Sequence, residues 1–109
     1  MNVNAWDVFE SDLGWGAHPI VVVSHPARAA RKEFVEILDC SSQRATRPPN
    51  DNEVLLDKSD GMDWPTFCKC DCIYAIPRTE LKHHRGTVAL ERRRQIVRTM
   101  IASHGWNTL

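Results

Sequence analysis

A basic and an acidic side chain, Lys69 and Asp71, lie two residues apart within the apolar run at residues 66–76. Successive side chains of a β-strand point to opposite faces, so Lys69 and Asp71 share one face with Phe67. An ammonium group beside a carboxylate can stabilise developing negative charge and exchange a proton, which is the equipment of acid–base catalysis. The alternative interpretation is a solvent-exposed charge pair without a catalytic role.

The opposite face of this predicted strand carries three thiols and a phenol: Cys68, Cys70, Cys72 and Tyr74. Cysteine is among the most buried residue types, so the thiols suit the interior of a small barrel. Alternate spacing differs from the turn-separated cysteine pairs of zinc sites. A zinc module that adds Cys40, His83 and His84 is the less favoured alternative. We therefore predict no metal ligands and no cofactor.

Two other segments carry groups that suit a nucleic acid. Gly14 and Gly16 flank Trp15, so a flexible loop can present a flat aromatic ring just before His18. A predicted strand runs directly into four hydrogen-bonding side chains, Ser41, Ser42, Gln43 and Arg44. They fit turn chemistry, and they equally fit donors for a phosphate or a base edge. The local sequence leaves both interpretations open.

Length and composition indicate one ordinary globular domain over residues 1–109, with 42% hydrophobic and 26% charged residues. No apolar run has the length of a membrane span, and the first twenty residues hold three acids and no Lys or Arg. We expect a cytoplasmic protein with no membrane association, in which the cysteines are reduced.

The net charge is zero, but the charges are unevenly distributed. Residues 74–109 contain seven basic and two acidic residues, whereas residues 48–63 contain five acids and only Lys58 as a base. A surface with this asymmetry can attract a polyanion without overall basicity.

Hydrophobic periodicity predicts several short strands followed by one helix. The predicted strands cover residues 4–13, 20–24, 34–40, 53–56, 66–76 and 82–88, of which the last is a polar edge strand. Residues 28–32 are predicted to be a solvated connection and residues 77–81 a helical turn. The predicted helix over residues 89–103 has an apolar stripe, with its arginines mostly on solvated faces. This order, without βαβ alternation, predicts a mainly β protein, a small antiparallel barrel closed by a C-terminal helix.

In this order and at compatible spacing, the motifs resemble the PemK/MazF family of toxins from type II toxin–antitoxin modules. The matching segments lie at residues 6–8, 14–18, 19–24, 41–43, 69–71 and 81–86, and the resemblance covers residues 4–104. It implies an SH3-like barrel, a homodimer, and a cognate antitoxin that binds through a disordered acidic tail. It also implies a metal-independent endoribonuclease that cuts single-stranded RNA or mRNA.

In such enzymes the ribose 2′-hydroxyl attacks the adjacent phosphate, giving a 2′,3′-cyclic phosphate and a 5′-hydroxyl. The resemblance implies that Asp71 is the base and that Lys69, in the place of a family Arg, stabilises charge or donates the leaving-group proton. A solvated carboxylate is a weak base at neutral pH, so Asp71 would need either a raised pKa or proton transfer through His18. The RNA would be positioned by Ser41, Ser42, Gln43 and Arg44 and stacked by Trp15 and Phe67.

The chain departs from the family pattern at Lys69, at Cys72, where most members have Gln, and at Ala17-His18-Pro19 before the second strand. The departures at Ala17-His18-Pro19 and at Lys69 bear on the catalytic rate and on the RNA sequence preference. The alternative function is a non-catalytic, degenerate relative that still binds an antitoxin or RNA.

Overall fold

The computed structural model describes residues 2–14 and 16–109. One six-stranded antiparallel sheet is formed by β1 (Asp7–Ser11), β2 (His18–Val22), β3 (Phe34–Cys40), β4 (Glu53–Leu56), β5 (Thr66–Pro77) and β6 (Lys82–Thr87). Its strand order is β4-β5-β3-β2-β1-β6. The helices are α1 (Pro26–Arg31) and α2 (Leu90–Ser103), and single 3-10 turns lie at Lys58–Asp60, Arg78–Glu80 and Trp106–Thr108. Trp15, predicted to present an aromatic ring, lies outside the described residues.

A close backbone contact curls the sheet so that its two ends approach each other. The turn after β4 contains Gly61 with φ of +92°, where an added Cβ would lie 2.7 Å from the Arg85 carbonyl oxygen of β6. Only glycine combines this left-handed conformation with such an approach. The result is a half-barrel with one C-terminal helix, which confirms the predicted mainly β class.

The hydrophobic core lies on both faces of this curled sheet. Ile20, Val21 and Val22 of β2 are fully buried, as predicted from their β-branched side chains. Val21 packs in the cluster that includes Ile96 of α2, whereas Ile20 and Val22 pack in the cluster that includes Ala29 of α1. Each helix therefore covers one face of the central strands. No helix in the described part of the chain is both long and apolar enough to span a bilayer.

Several predicted elements are confirmed, and β3 and β4 have the predicted bounds. The first strand is shorter than predicted, and residues on both of its faces, Asp7, Val8 and Phe9, are buried. The Asp7 carboxylate accepts hydrogen bonds from the Asn4 amide at 2.9 Å and the Thr87 hydroxyl at 3.2 Å. These bonds compensate the burial of its charge.

The connection predicted at residues 28–32 is wrong in its structure, because residues 28–31 belong to α1, but it is solvated as predicted except at the buried Ala29. His25 precedes the helix and its Nδ1 accepts from the Ala27 amide at 3.1 Å, while Pro26 occupies the first turn, where its missing N–H costs nothing. The helix is only six residues long, too short for its periodicity to be visible in the sequence.

The apolar stripe predicted for α2 is also only partly correct. Ile96 is fully buried and Met100 packs on the core, but Leu90, Val97 and Ile101 are exposed. The solvated position predicted for the arginines is wrong for Arg92, which bonds to Asp57 and Asp60. The strongest polar contacts of the helix thus point toward the sheet.

The predicted interior thiols are confirmed for Cys68 and Cys70, which are fully buried, whereas Cys72 is half-buried and Tyr74 is exposed. All four cysteines are free thiols. Ile73 packs against the core, so the inward and outward faces of β5 exchange between Cys70 and Ile73. A local irregularity of the strand, described below, causes this exchange.

We expect the thiols to differ in reactivity. Hydrogen bonds with Cys40 and Cys70, together with burial, raise the pKa of the Cys68 thiol well above its ordinary value. Burial and the charge of Asp71 also raise the pKa of Cys72, but this side chain reaches solvent. Because the thiolate is the reactive form, iodoacetamide should modify Cys72 first in the native protein and all four cysteines in urea. Peptide mass spectrometry measures this, and early modification of Cys68 would contradict the buried cluster.

Candidate active site

A buried carboxylate, Asp39, links two of the residues that the sequence singles out. His18 Nδ1 lies 2.6 Å from Asp39 Oδ1, and Lys69 Nζ lies 3.6 Å from Asp39 Oδ2. His18 begins β2, Asp39 is the penultimate residue of β3 and Lys69 belongs to β5, so three neighbouring strands supply the cluster. We call these residues the His18–Asp39–Lys69 cluster.

An irregularity in the β3–β5 pairing positions this cluster. Leu38 pairs with Ile73 and Cys40 pairs with Cys68, so Asp39 alone lies opposite residues 69–72. In this irregular stretch Lys69 contacts Asp39, whereas Asp71 accepts a hydrogen bond from Asn52. Such bulges commonly re-aim side chains next to functional sites. Lys69 thereby reaches Asp39.

The cluster is buried at one end and open at the other. The side chains of His18 and Asp39 are 5% and 7% exposed, whereas that of Lys69 is 41% exposed. His18 Nδ1 also lies 3.1 Å from the Cys40 carbonyl oxygen. Both neighbours of Nδ1 are acceptors, so Nδ1 carries a hydrogen and Nε2 is the basic nitrogen of the neutral ring.

Two adjoining depressions meet at His18. The first, which we call the Lys69 depression, has a volume of about 260 Å³ and is lined by Asp39, Gln43 and Lys69 among others. The second, the Arg85 depression, has a volume of about 200 Å³. It is lined by Glu10, Pro19, Met62, Asp63, Trp64, Thr66 and Arg85. Ala17, His18, Ser41 and Ser42 line both. The predicted His18, Lys69, Ser41, Ser42 and Gln43 are therefore brought together.

Three predicted site residues lie outside the lining of both depressions. Asp71 is exposed and accepts a hydrogen bond from Asn52 Nδ2 at 3.3 Å. Phe67 is buried, with the Arg47 guanidinium 4.5 Å from its ring centroid. Arg44 lies 5.7 Å from the centroid of the Trp64 ring. Arg47 rather than a base therefore covers Phe67.

The cysteines do not assemble the zinc site considered from the sequence. Within residues 2–14 and 16–109, no three His, Cys, Asp or Glu side chains are grouped to hold a metal ion. His84 belongs to β6, whereas Cys40 belongs to β3. The His84 Nε2 lies 3.2 Å from Asp7 Oδ1, and the His84 ring makes an edge contact with the Phe9 ring. Cys68 interacts instead with Cys40 and Cys70.

Four residues that line the two depressions were not predicted from the sequence: Asp39, Glu10, Trp64 and Arg85. Asp39 had a detectable signal, because a carboxylate inside the otherwise apolar end of β3 must find a partner if it is buried. The others are distant in sequence and meet only through the curl of the sheet. No local pattern could have placed them beside His18.

The family model for the PemK-like, MazF-like toxin of type II toxin–antitoxin systems matches residues 5–104. The chain belongs to this family. The resemblance inferred from the sequence motifs is thus confirmed. The cluster and its two depressions lie within the matched range of this PemK-like domain. A comparison with curated proteins found no match.

Solved structures share the fold of this PemK-like protein. A mycobacterial endoribonuclease in complex with its cognate antitoxin has a TM-score of 0.82 and 24% identity, with 94% of each chain covered. The Mycobacterium tuberculosis toxin MazF-mt6 has a TM-score of 0.79 and 16% identity, over 91% of this chain and 96% of that toxin. MazE-MazF from Deinococcus radiodurans (Form-II) has a TM-score of 0.75 and 13% identity, over 96% and 97%. At these identities the likeness establishes the fold.

Proposed function

We propose that this family member is a toxin that cleaves single-stranded RNA or mRNA without a metal ion, by attack of the ribose 2′-hydroxyl on the adjacent phosphate. The observation that carries the proposal is the His18–Asp39–Lys69 cluster, in which one imidazole and one ammonium group meet at an open depression lined by Ser41 and Ser42. Family membership and the endoribonuclease named among the structural neighbours support it.

The imidazole is the base in this proposal. Asp39 and the Cys40 carbonyl hold the hydrogen on Nδ1, so Nε2 is the nitrogen that takes the proton from the 2′-hydroxyl as the new O–P bond forms. Nε2 is buried in this structure, so the step requires that RNA binding open the depression over it. The Asp39 carboxylate stabilises the imidazolium that results. Asp39 acts through His18 and is a positioning residue.

Lys69 is the cation of the reaction. Its ammonium stabilises the negative charge on the crowded phosphorane and gives a proton to the departing 5′-oxygen as the O–P bond breaks. The hydroxyls of Ser41 and Ser42, which border both depressions, donate to the non-bridging phosphate oxygens. The products are a 2′,3′-cyclic phosphate and a 5′-hydroxyl, with no water consumed.

We assign the base to His18 in preference to Asp71, the base implied by the sequence resemblance. Asp71 is exposed, hydrogen-bonded to Asn52 and outside the lining of both depressions. In this assignment Asp71 has no part in the chemical step, and any contact that it makes with RNA is to nucleotides other than the two at the cut. Substitutions of Asp39 and Asp71 therefore separate the two mechanisms, as argued in the Discussion.

We expect the purified protein to cut a long single-stranded transcript in EDTA and to leave 2′,3′-cyclic phosphate and 5′-hydroxyl ends. Ligation by an RNA ligase specific for cyclic phosphate, followed by sequencing, identifies these ends and maps the cuts. Strict dependence on a divalent cation would contradict the mechanism. RNA binding without cleavage by any preparation would favour the non-catalytic alternative.

We further propose that an acidic, partly apolar antitoxin segment binds beside α2, and that the toxin is a homodimer. Trp6, Leu90 and Val97 line a groove of about 390 Å³ whose remaining lining consists of Arg93, Arg94 and Arg98. Two copies facing each other through this surface would bring like charges together in an isologous contact. Opposite charge makes an acidic partner the better occupant.

A co-purification experiment tests this interface. Arg98→Glu should weaken retention of the cognate antitoxin by an immobilised toxin, because it places a negative charge in the groove, where it would repel the acidic antitoxin segment. Arg31→Glu, on exposed α1, is the matched control and should leave retention unchanged. Equal retention of the antitoxin by both variants would exclude the groove as its binding site. Light scattering measures the mass of the free toxin and so tests the proposed homodimer.

A further inference from the structure

The Arg85 depression shares His18, Ser41 and Ser42 with the catalytic site, but its other polar residues, which centre on Arg85, have no role in the proposed cleavage. The Arg85 side chain is only 13% exposed, and its Nε donates to the Gly61 carbonyl oxygen at 3.1 Å. Its two terminal nitrogens bind two carboxylates, Nη1 to Glu10 at 3.2 Å and Nη2 to Asp63 at 2.8 Å. The guanidinium thus fixes both carboxylates at the border of the cavity.

These carboxylates exclude a phosphate as the occupant and favour a group that donates hydrogen bonds. Each carboxylate binds Arg85 through one oxygen, so its second oxygen keeps its capacity to accept a hydrogen bond. Asp63 is 69% exposed and Glu10 is 35% exposed, so a ligand can reach them. A like-charged phosphate would be repelled.

The size and the walls of the cavity suit one planar base. Its volume of about 200 Å³ lies below the roughly 300–1,000 Å³ of pockets for drug-sized ligands. Met62 and Pro19 give apolar contact and Trp64 gives an aromatic wall. Bases of single-stranded RNA stack on such side chains and expose their Watson–Crick edges to hydrogen bonding.

Among the four RNA bases, guanine fits this set of acceptors best. Its Watson–Crick edge presents N1–H and the N2 amino group side by side, a pair of parallel donors that one carboxylate accepts in a bidentate manner. Uracil presents one N–H between two carbonyl oxygens, which would face the carboxylates. A single misplaced base contact costs about 1–3 kcal/mol, which is roughly 5- to 150-fold in affinity.

We propose that the Arg85 depression is a guanine-recognition subsite for a nucleotide next to the scissile phosphate. The inference rests on the proposed function, because Ala17, His18, Ser41 and Ser42 line this cavity and the Lys69 depression alike. A phosphate at His18 and the two serines places one neighbouring base at Lys69 and the other at Arg85. Glu10 and Asp63 are then specificity-determining residues.

Cleavage of a random-sequence RNA library in EDTA tests the subsite. The wild-type protein should show guanine enrichment at one fixed position adjoining the cut, and inosine there, which lacks only the N2 amino group, should lower the cleavage rate about tenfold. Asp63→Asn and Glu10→Gln should reduce this preference, because an amide presents a donor as well as an acceptor. Uracil enrichment, or equal cleavage at guanosine and inosine, would overturn the inference.

A binding measurement separates this inference from the nuclease proposal. An oligonucleotide with 2′-deoxyribose at the cut lacks the attacking hydroxyl, so its binding reports recognition without chemistry. The guanine form should bind the wild-type protein about tenfold more tightly than the inosine form, and Asp63→Asn should abolish the difference. Glu91→Gln, an exposed acid on α2, is the control and should retain it. Equal binding of both forms by the wild-type protein contradicts the subsite even if the enzyme cuts RNA.

Discussion

Replacing His18 by alanine is expected to lower kcat/KM for RNA cleavage by about 10²- to 10⁴-fold, the usual contribution of a positioned general base. Asp39→Asn should cause a loss of about 10²-fold or more, mainly in kcat, because this carboxylate acts by orienting His18. A fluorogenic single-stranded oligonucleotide under single-turnover conditions measures both losses.

Asp71→Asn is the matched control, since it makes the same chemical change on the same sheet outside both depressions. We expect less than a tenfold change in kcat/KM for this variant, on the order of a lost peripheral contact. A large loss in Asp71→Asn with an active Asp39→Asn would reverse the assignment and restore the base implied by the family resemblance.

The pH–rate profile distinguishes positioning by Asp39 from a merely structural role. The limb that reports the base should shift in Asp39→Asn and disappear in His18→Ala, whereas a protein that is only less stable would keep its profile at lower amplitude. Circular dichroism at the assay temperature confirms that each variant is folded. An unchanged profile in Asp39→Asn would exclude the positioning role.

The strands were predictable from the sequence wherever local pattern decides the structure. The β-branched run at Ile20–Val23 and the short apolar run at Val54–Leu56 indicate strands without help from the rest of the chain. The helix over residues 89–103 was likewise predictable from its period. The path of β5 was not, because simple alternation requires uninterrupted pairing and Asp39 lies opposite four residues.

The candidate site was predictable in part for the same reason. His18 begins β2, Ser41 follows β3 and Lys69 lies within β5, and residue type and family motifs draw attention to all three. The sequence marks Asp39 only as a carboxylate in an apolar strand, and its two partners depend on the irregular register between β3 and β5. Arg85 and Asp63 depend on the curl of the sheet through Gly61. Register and curvature are tertiary properties that a single sequence does not display.

Replacing Arg92 by methionine is expected to destabilise the fold by about 3 kcal/mol. Arg92 Nη1 donates to the fully buried Asp60 at 2.9 Å and Nη2 to Asp57 at 3.0 Å, and it also bonds to the Leu55 carbonyl oxygen. Removing one partner of a buried ion pair leaves an uncompensated charge, which costs about 3–5 kcal/mol when burial is complete. Urea unfolding followed by fluorescence measures the change in the free energy of unfolding.

Arg94→Met is the control, because Arg94 forms an exposed i,i+3 pair with Glu91 on the same helix and such pairs contribute about 0.3 kcal/mol. Equal stability of the two variants would contradict the role of Arg92 as the bridge from α2 to the β4 turn.

The acid dependence of stability tests the same bridge independently. Hydrogen bonds from the Ser59 side chain and from Arg92 lower the pKa of Asp57 from 3.8 to about 2. Because the pKa in the folded state lies below that of the unfolded chain, this stabilisation is present above about pH 4 and is lost as the pH falls toward 2. Arg92→Met removes one of the two side-chain donors, so the difference in unfolding free energy between wild type and variant should narrow across this interval. A difference that stays constant from about pH 5 to pH 2 would show that Arg92 does not stabilise the ionised form of the Asp57 carboxylate.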